Sequence, residues 1–265
     1  MHYQQNKVIG IVGGMGPQAG ATLFNSIVCQ TNASIDQQHL SVILMSFPQY
    51  IADRTAFLEG EECINPAFTI VKVIRKLEAA GAEVIGIACN TSHAGEIYSV
   101  IMEELDRVDS RVSLVHMPLA TCSYIKDNYP GVRRIGLMTT NGTWRSGVYR
   151  DLLYNLGYEV VEPDARFQDD VIHKMVYDPV FGIKSHPAGV TTEVALLAEE
   201  ALNFFENRQA DAIILGCTEL SVAITQRAVK GMLIVDSTEA LARALIFEAT
   251  GHKKSAKPAT AHSGK

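Results

Sequence analysis

The feature that most constrains the fold is a strand-then-helix pattern that begins twice along the chain. The first occurrence starts with IGIVGG at residues 9–14, and the second starts with IGLMTT at residues 135–140. Each run is apolar, ends in small residues and precedes a helical pattern, which is typical of a buried parallel strand. Because parallel strands need crossover connections, this alternation predicts parallel sheets with helices on both faces.

The repeat carries a second motif with it. VIGIACNTSHAGEI places Cys89 after one apolar run, and AIILGCTELSVAI places Cys217 after another. Gly10 precedes Cys89 by 79 residues, and Gly136 precedes Cys217 by 81 residues. Two motifs in matching order indicate a duplicated half. We therefore predict an α/β fold with two pseudo-symmetric domains, each a short parallel sheet flanked by helices, and an active-site cleft between them.

The domain boundaries follow from where the pattern begins again. We assign residues 1–117 together with 225–250 to the first domain and residues 118–224 to the second. Residues 251–265 are polar and lack apolar periodicity, so we expect a disordered tail there.

Local patterns give further expectations for secondary structure. Residues 48–60 are predicted to form a loop, and residues 164–189 a long irregular segment. A strand at residues 114–117 is expected to stop at Pro118. Residues 219–229 should form a helix, with a last strand at residues 233–235.

Composition excludes several classes of function. The 265 residues carry a net charge of −6, so the overall electrostatics do not favour nucleic-acid binding. The five cysteines are odd in number and form no CxxC pair, which argues against a disulfide framework or a structural zinc site. His39, His116, His173 and His186 have no metal-ligand spacing. We expect no metal and no cofactor.

The location is expected to be cytoplasmic. The N-terminal segment MHYQQNKVIGIVGG does not have the charged, then apolar, pattern of a secretory leader. No apolar stretch approaches the roughly 20 residues that a membrane span needs, so we expect no membrane association.

The first glycine turn has three interpretations. Gly14, Gly16 and Ala19 fit a loose G-x-G-x-x-[GA] pattern, and Asp36 follows Gly16 by 20 residues, as in dinucleotide-binding folds. However, Asp36 precedes the second strand, whereas a ribose-binding acid follows it. The alternatives are a tight turn with close backbone packing, or a loop whose amides approach a small anion.

The two cysteine motifs carry the strongest chemical signal. Each cysteine falls at the carboxyl end of a strand, where open α/β sheets form their ligand crevice. A helix that starts directly after the cysteine would stabilise a thiolate. The same amides, with the side chains of Asn90, Thr91 and Thr218, can bind a carboxylate. For one cysteine alone, packing at a strand end is the simpler explanation, but a matched pair favours catalysis.

Two thiols that face each other across a cleft suit one kind of reaction. A thiolate on one face of a carbon removes a proton, and a thiol on the other face supplies one. The roles exchange in the reverse direction. Racemisation of an α-amino acid without a cofactor fits this arrangement, provided that preorganised donors stabilise the developing charge on the carboxylate.

The segments GGMGPQAGA, ADRT, ACNTSHA and GCTELS resemble the aspartate/glutamate racemase family, and specifically its aspartate racemase branch. The match extends over nearly the whole chain up to about Thr250. The resemblance implies cofactor-independent catalysis, two pseudo-symmetric domains and a homodimer. It places Cys89 and Cys217 at the positions of the two catalytic thiols. Glutamate racemases usually carry an Asp-Ser pair near the first glycine turn and GCTH, where this chain has VGGMGP and GCTEL.

The remaining candidate site residues are substrate-binding ones. Arg54 follows the second strand on the crevice side, and a guanidinium forks onto a carboxylate, although an ion pair with Asp53 is an alternative. The resemblance implies substrate contact for this arginine and for a lysine before the second-half helix. Lys184 is the lysine nearest that position, with a departure from the usual spacing.

Backbone groups complete the predicted site. We expect Met15 and Gly16 to cover the substrate, and Thr139 and Thr140 to be their second-half counterparts. His93, four residues after Cys89, is expected to bond to backbone rather than to tune a thiolate.

The sequence therefore predicts an enzyme that interconverts L- and D-aspartate with two cysteine bases. One alternative is a glutamate or broad-range amino-acid racemase of the same superfamily. Another, of a different class, is a non-catalytic small-ligand binding protein.

Overall fold

The computed structural model describes residues 6–186 and 189–251. The tail predicted at residues 251–265 lies outside the described residues, except for its first residue. Gly251, which is described, ends the last helix in a left-handed conformation with φ 63°. Within the described part of the chain, no helix is long and apolar enough to cross a membrane.

Two sheets with the same strand order form the fold. The first sheet has the order β2-β1-β3-β4, and all of its strands are parallel. The second has the order β6-β5-β7-β9, also parallel, and β8 is added antiparallel at the edge. The strands are β1 (Ile9–Gly13), β2 (Val42–Ser46), β3 (Val84–Ile87), β4 (Ser113–Val115), β5 (Arg134–Thr139), β6 (Glu159–Val161), β7 (Ala212–Gly216), β8 (Ala228–Val229) and β9 (Met232–Asp236). The predicted α/β fold with two related parallel sheets is confirmed.

Helices flank both sheets. They are α1 (Pro17–Gln30), α2 (Arg54–Glu59), α3 (Ala67–Ala79), α4 (Gly95–Arg107), α5 (Met117–Asn128), α6 (Asn141–Ser146), α7 (Val148–Asn155), α8 (Ala165–Phe167), α9 (Lys174–Tyr177), α10 (Thr192–Asn207), α11 (Leu220–Ala223) and α12 (Ser237–Thr250). Short 3-10 turns lie at Asp36–Gln38 and Thr91–His93, and a π-helical segment lies at Gln168–His173.

The last helix of each half packs on the sheet of the other half. α5 follows β4 of the first sheet, but Cys122 and Ile125 of α5 pack with Ile135 and Leu137 of β5. In the same way, α12 follows β9 of the second sheet, and its apolar face packs with Ile9 of β1. This reciprocal exchange ties the two halves together, because neither core is complete without the helix from the other half.

The exchange corrects one part of the predicted domain division. Residues 233–235 were assigned with the first domain, yet β9 pairs in parallel with β7 of the second sheet. The chain crosses back to the first sheet only at α12. The sequence showed that the C-terminal segment returns, but a short apolar strand does not reveal which of two similar sheets it joins.

Three local predictions are wrong at the level of secondary structure. The predicted loop at 48–60 contains α2, which starts because the Asp53 carboxylate accepts hydrogen bonds from the N–H groups of Thr55 and Ala56. The segment at 164–189, predicted to be irregular, contains α8, the π-helical segment and α9. The helix predicted at 219–229 is only the four-residue α11, followed by β8.

The helix α5 was also missed. Pro118 was interpreted as the end of a strand, but it lies in the first turn of α5, where its missing N–H costs nothing. The His116 side chain accepts a hydrogen bond from the Leu119 N–H and caps this helix.

Gly136 on β5 allows the close approach of α10, and we expect Gly136→Ala to be destabilising. A Cβ atom there would lie 2.6 Å from the Phe205 ring, which is fully buried. Overpacking of this kind lowers the free energy of unfolding by about 1–3 kcal/mol. Denaturant unfolding measures the effect. Gly131→Ala is the control, because a Cβ atom there meets nothing within 4 Å; equal effects of the two substitutions would contradict the packing argument.

Candidate active site

The carboxyl ends of β3 and β7 bring the two predicted cysteines to one cavity. Cys89 lies two residues after β3, and Cys217 directly follows β7. Both side chains are buried, with 6% and 7% of their surface exposed. The cavity has a volume of about 240 Å³, including its open mouth. Its lining residues are Arg54, Cys89, Asn90, Thr91, Thr140, Tyr177, Lys184, Gly216, Cys217, Thr218 and Glu219.

The segments that follow the cysteines are shorter than predicted. Cys89 precedes the single 3-10 turn at Thr91–His93, and Cys217 precedes the four-residue α11. Such short segments have little helix dipole to stabilise a thiolate. Charged side chains around the cavity therefore matter more than the sequence suggested.

Arg54 is a buried cation beside Cys89. Its Nη1 donates to the Ala52 carbonyl at 3.1 Å and its Nη2 to the Met15 carbonyl at 3.0 Å. Burial tends to lower the pKa of Arg54, but attraction to Cys89, Tyr177 and Asp53 outweighs it and raises the pKa. Within the described residues, Arg54 Nε is buried without a hydrogen-bond partner. The guanidinium thus keeps donors available for a ligand.

The predicted alternative for Arg54, an ion pair with Asp53, is also present. Arg54 Nη1 lies 3.9 Å from Asp53 Oδ2. The same guanidinium also lines the cavity, and its contact with a substrate carboxylate stays a prediction.

Lys184 reaches the cavity from the second half of the chain. Its Nζ donates to the Tyr177 hydroxyl at 3.1 Å, and that hydroxyl donates to Asp53 Oδ2 at 3.1 Å. Burial raises the pKa of Tyr177 to about 12, so the hydroxyl keeps its proton at neutral pH. Attraction to Tyr177, Glu219 and Cys217 overcomes desolvation and raises the pKa of Lys184, which stays a cation.

Glu219 is a site residue that the sequence prediction missed. Its Oε2 accepts hydrogen bonds from Cys217 Sγ at 3.0 Å and from Thr218 Oγ1 at 3.0 Å. Its Oε1 accepts from the Gly16 N–H at 3.3 Å, which joins the two halves of the molecule. Burial would raise the pKa of Glu219, but attraction to Lys184 and these hydrogen bonds lower it. Glu219 is therefore a carboxylate at neutral pH.

The polar side chains after Cys89 are bonded to the protein rather than free. Asn90 Nδ2 donates to Ser237 Oγ at 3.0 Å, and the Tyr149 hydroxyl donates to Asn90 Oδ1 at 2.5 Å. Ser237 Oγ in turn donates to the Leu215 carbonyl of β7 at 2.7 Å. This buried chain of hydrogen bonds fixes the segment after Cys89 against the second sheet.

Threonine hydroxyls from the two halves of the chain hydrogen-bond to one another at the cavity. Thr91 Oγ1 lies 3.2 Å from Thr140 Oγ1 and 2.9 Å from Thr143 Oγ1. Of these two predicted threonines of the second half, Thr140 is among the described residues that line the cavity and Thr139 is not. Thr139 is the last residue of β5, and its carbonyl accepts from Gln168 Nε2 at 2.8 Å.

Met15 and Gly16 hydrogen-bond to two charged residues of the cavity. Neither is among the described residues that line the cavity. The Met15 carbonyl holds Arg54, and the Gly16 N–H holds Glu219. The predicted role of covering substrate with backbone thus differs from their observed contacts, which orient two charged side chains. Gly14 allows the turn, because its φ is 97° and a Cβ atom would lie 2.8 Å from the Phe47 nitrogen.

His93 bonds to backbone, as expected. Its Nε2 accepts from the Met117 N–H at 3.2 Å, so Nδ1 carries the proton and donates to the Cys89 carbonyl at 3.0 Å. Burial, reinforced by His116, lowers the pKa of His93 to about 3, and the ring is neutral. It fixes the backbone of Cys89. Among the described residues, no group of three or more His, Cys, Asp or Glu side chains is placed to hold a metal ion.

Comparison with known proteins shows which family has this sequence and fold. Residues 12–245 match the Asp/Glu/Hydantoin racemase family. The chain belongs to this family. The resemblance inferred from the motifs is thereby confirmed, and membership of the family supports an amino-acid racemase, an isomerase.

Several racemases are similar over most of the chain. The broad specificity amino-acid racemase RacX of Bacillus subtilis (strain 168) is 27% identical over 247 residues, covering 90% of this chain and 96% of RacX. The aspartate racemase of Picrophilus torridus is 30% identical with a TM-score of 0.75, covering 92% of this chain and 94% of that one. The glutamate racemase of Francisella tularensis, solved with D-glutamate, shares the fold at 18% identity and a TM-score of 0.61, covering 91% and 80%.

Tyr177, Gly216 and Glu219 line the cavity without having been predicted to do so. Glu219 was within reach of the sequence analysis, since it follows Cys217 and Thr218 in GCTEL. Tyr177 was not, because it lies in the segment predicted to be irregular.

Proposed function

We propose that this member of the racemase family interconverts L- and D-aspartate without a cofactor, by proton transfer between two cysteines. One observation carries the proposal: Cys89 and Cys217, at equivalent strand ends of two related sheets, line one cavity with two cations, Arg54 and Lys184. A pair of thiols suits exchange of a proton between the two faces of Cα. Two cations suit a substrate with two carboxylates.

The proposed reaction begins when a cysteine thiolate removes the Cα proton. The electron pair of the Cα–H bond moves toward the α-carboxylate, whose developing charge is proposed to be stabilised by backbone amides after Cys89 and Cys217. The opposite cysteine then gives its S–H proton to the other face of Cα. In the reverse direction the two sulfurs exchange roles.

The choice of aspartate rests on the charge of the cavity. Arg54 is proposed to hold the side-chain carboxylate, because its guanidinium is buried and keeps free donors. A broad-range racemase is the second candidate, since the similar RacX of Bacillus subtilis is described as having broad specificity. The two differ in whether amino acids without a second carboxylate react.

A panel of amino acids incubated with the protein in D₂O tests the proposal. We expect aspartate to racemise without added metal or cofactor, with one deuterium incorporated at Cα, as measured by chiral chromatography and mass spectrometry. Neutral amino acids should react at least about 10-fold more slowly, because they leave Arg54 without a carboxylate. Equal rates for alanine and aspartate would favour the broad-range candidate, and absence of deuterium from every substrate would exclude a racemase.

A further inference from the structure

The two thiols of the cavity have unequal charged neighbours. Each has a cation close to it, since Arg54 attracts Cys89 and Lys184 attracts Cys217. In addition, Cys217 Sγ donates a hydrogen bond to the Glu219 carboxylate at 3.0 Å. Among the described residues, no carboxylate accepts a hydrogen bond from Cys89 in this way. The pseudo-symmetry of the fold therefore does not extend to the hydrogen bonding of the two sulfurs.

Glu219 is held in place and held in its charged form. The Gly16 N–H and the Thr218 hydroxyl bond its two oxygens, so the carboxylate cannot turn away from Cys217. Lys184 stabilises the negative charge. An ionised Cys217 would place a second negative charge 3.0 Å from Oε2 with no proton between them, in a buried site where charges interact strongly.

Resting on the racemase function proposed above, we propose that Glu219 is a positioning residue that keeps Cys217 protonated in the free enzyme. Cys217 then begins a turnover as the proton donor, and Cys89 begins it as the base. The Cα–H bond breaks toward Cys89 Sγ, and the Cys217 S–H bond breaks as its proton joins the opposite face of Cα. The product complex contains a Cys89 thiol and a Cys217 thiolate.

Glu219 also affects the step that restores the starting enzyme. With the Cys217 thiolate beside Glu219, the form left after product release is higher in energy than the starting form. Water restores the starting form by giving a proton to Cys217 and accepting one from Cys89. The ionisable groups that line the cavity with the two sulfurs and affect this proton exchange are Arg54, Tyr177, Lys184 and Glu219. Asp53 interacts with Arg54 and Lys184 and affects it indirectly.

Alkylation of Cys217 as a function of pH tests the proposal without using catalysis. The full-length protein and Glu219→Gln are treated with iodoacetamide, and the modified Cys217 peptide is quantified by mass spectrometry. Removing the carboxylate charge should lower the pH midpoint for Cys217 alkylation by about one unit or more. Circular dichroism checks that the variant is folded.

Two further variants separate charge from packing. Glu219→Asp keeps the charge one methylene farther away, so its midpoint should lie between those of the parent and Glu219→Gln. Glu162→Gln is the matched control, because Glu162 is a half-buried carboxylate paired with Arg150 away from the cavity. It should leave the midpoint unchanged. A shift in Glu219→Asp as large as that in Glu219→Gln would indicate packing and would overturn the proposal, as would an unchanged midpoint in Glu219→Gln.

The outcome for Glu219 is distinguishable from the outcome for the proposed function. If Glu219→Gln lowers the pH midpoint of Cys217 alkylation but the protein racemises no amino acid, the role of Glu219 is supported and the racemase function is excluded. If the protein racemises aspartate but the midpoint is unchanged in Glu219→Gln, the racemase function is supported and the role of Glu219 is excluded.

Discussion

Replacing Cys217 with alanine is expected to lower kcat/KM for aspartate racemisation by about 10³-fold or more, in both directions. A positioned acid or base contributes typically 10²–10⁴-fold, and the variant loses the only thiol that we place on its face of the substrate. Cys89→Ala should have an effect of the same size, because each sulfur is needed in every turnover. Chiral chromatography from either pure enantiomer measures the loss.

The control for these variants is another buried thiol. Cys122 is fully buried in α5 and packs under the second sheet, outside the set of residues that line the cavity. Cys122→Ala should reduce stability but leave racemisation within a few-fold of the parent. Full activity in either Cys89→Ala or Cys217→Ala would refute the two-base mechanism.

Arg54→Ala is expected to lower kcat/KM for aspartate by about 30-fold or more, since removing one partner of a buried charge pair costs about 2–5 kcal/mol. The loss should be smaller for a neutral amino acid, which has no second carboxylate for Arg54 to hold. Arg54→Lys should lie between, because it keeps the charge but not the planar fork that bonds the Met15 and Ala52 carbonyls. Kinetics with aspartate and alanine measure the difference.

The buried position of Arg54 requires a structural control. Arg75→Ala removes an exposed arginine that pairs with Glu78 three residues along α3 and donates to the Val108 carbonyl, and it should leave kinetics unchanged. Circular dichroism and thermal unfolding show whether Arg54→Ala is folded. Equal losses for aspartate and alanine would mean that Arg54 supports the site structurally rather than selecting a carboxylate.

The α/β fold and the family followed from local sequence patterns, because these patterns are repeated. Apolar runs such as IGIVGG form buried strands wherever a sheet is covered on both faces, and the spacing between them requires helical crossovers. The cysteines could be placed at strand ends for the same reason. α5 was missed because a proline is found both at the end of a strand and in the first turn of a helix, so Pro118 alone does not distinguish the two.

Much of the cavity lining could be predicted, because the motifs that carry it fall at the carboxyl ends of strands. Cys89, Cys217 and Arg54 were identified by chemistry at strand ends, and all three line the cavity. Glu219 is part of the GCTEL motif, but its position and charge depend on the Gly16 N–H and on Lys184, which are distant in sequence. Thr139 ends β5 and Thr140 follows it, and the sequence alone does not show which of two adjacent threonines lines the cavity.

By itself, the sequence determined the class of fold, the duplication and the two sulfur atoms, because strand and helix patterns depend on neighbours along the chain. The tertiary structure alone decided that β9 joins the second sheet while α12 crosses to the first, and that Glu219 lies against Cys217 while Arg54 lies against Cys89. These contacts join residues far apart in the chain. The protonation of the two thiols depends on the charges that folding brings beside them, and no local pattern records those distances.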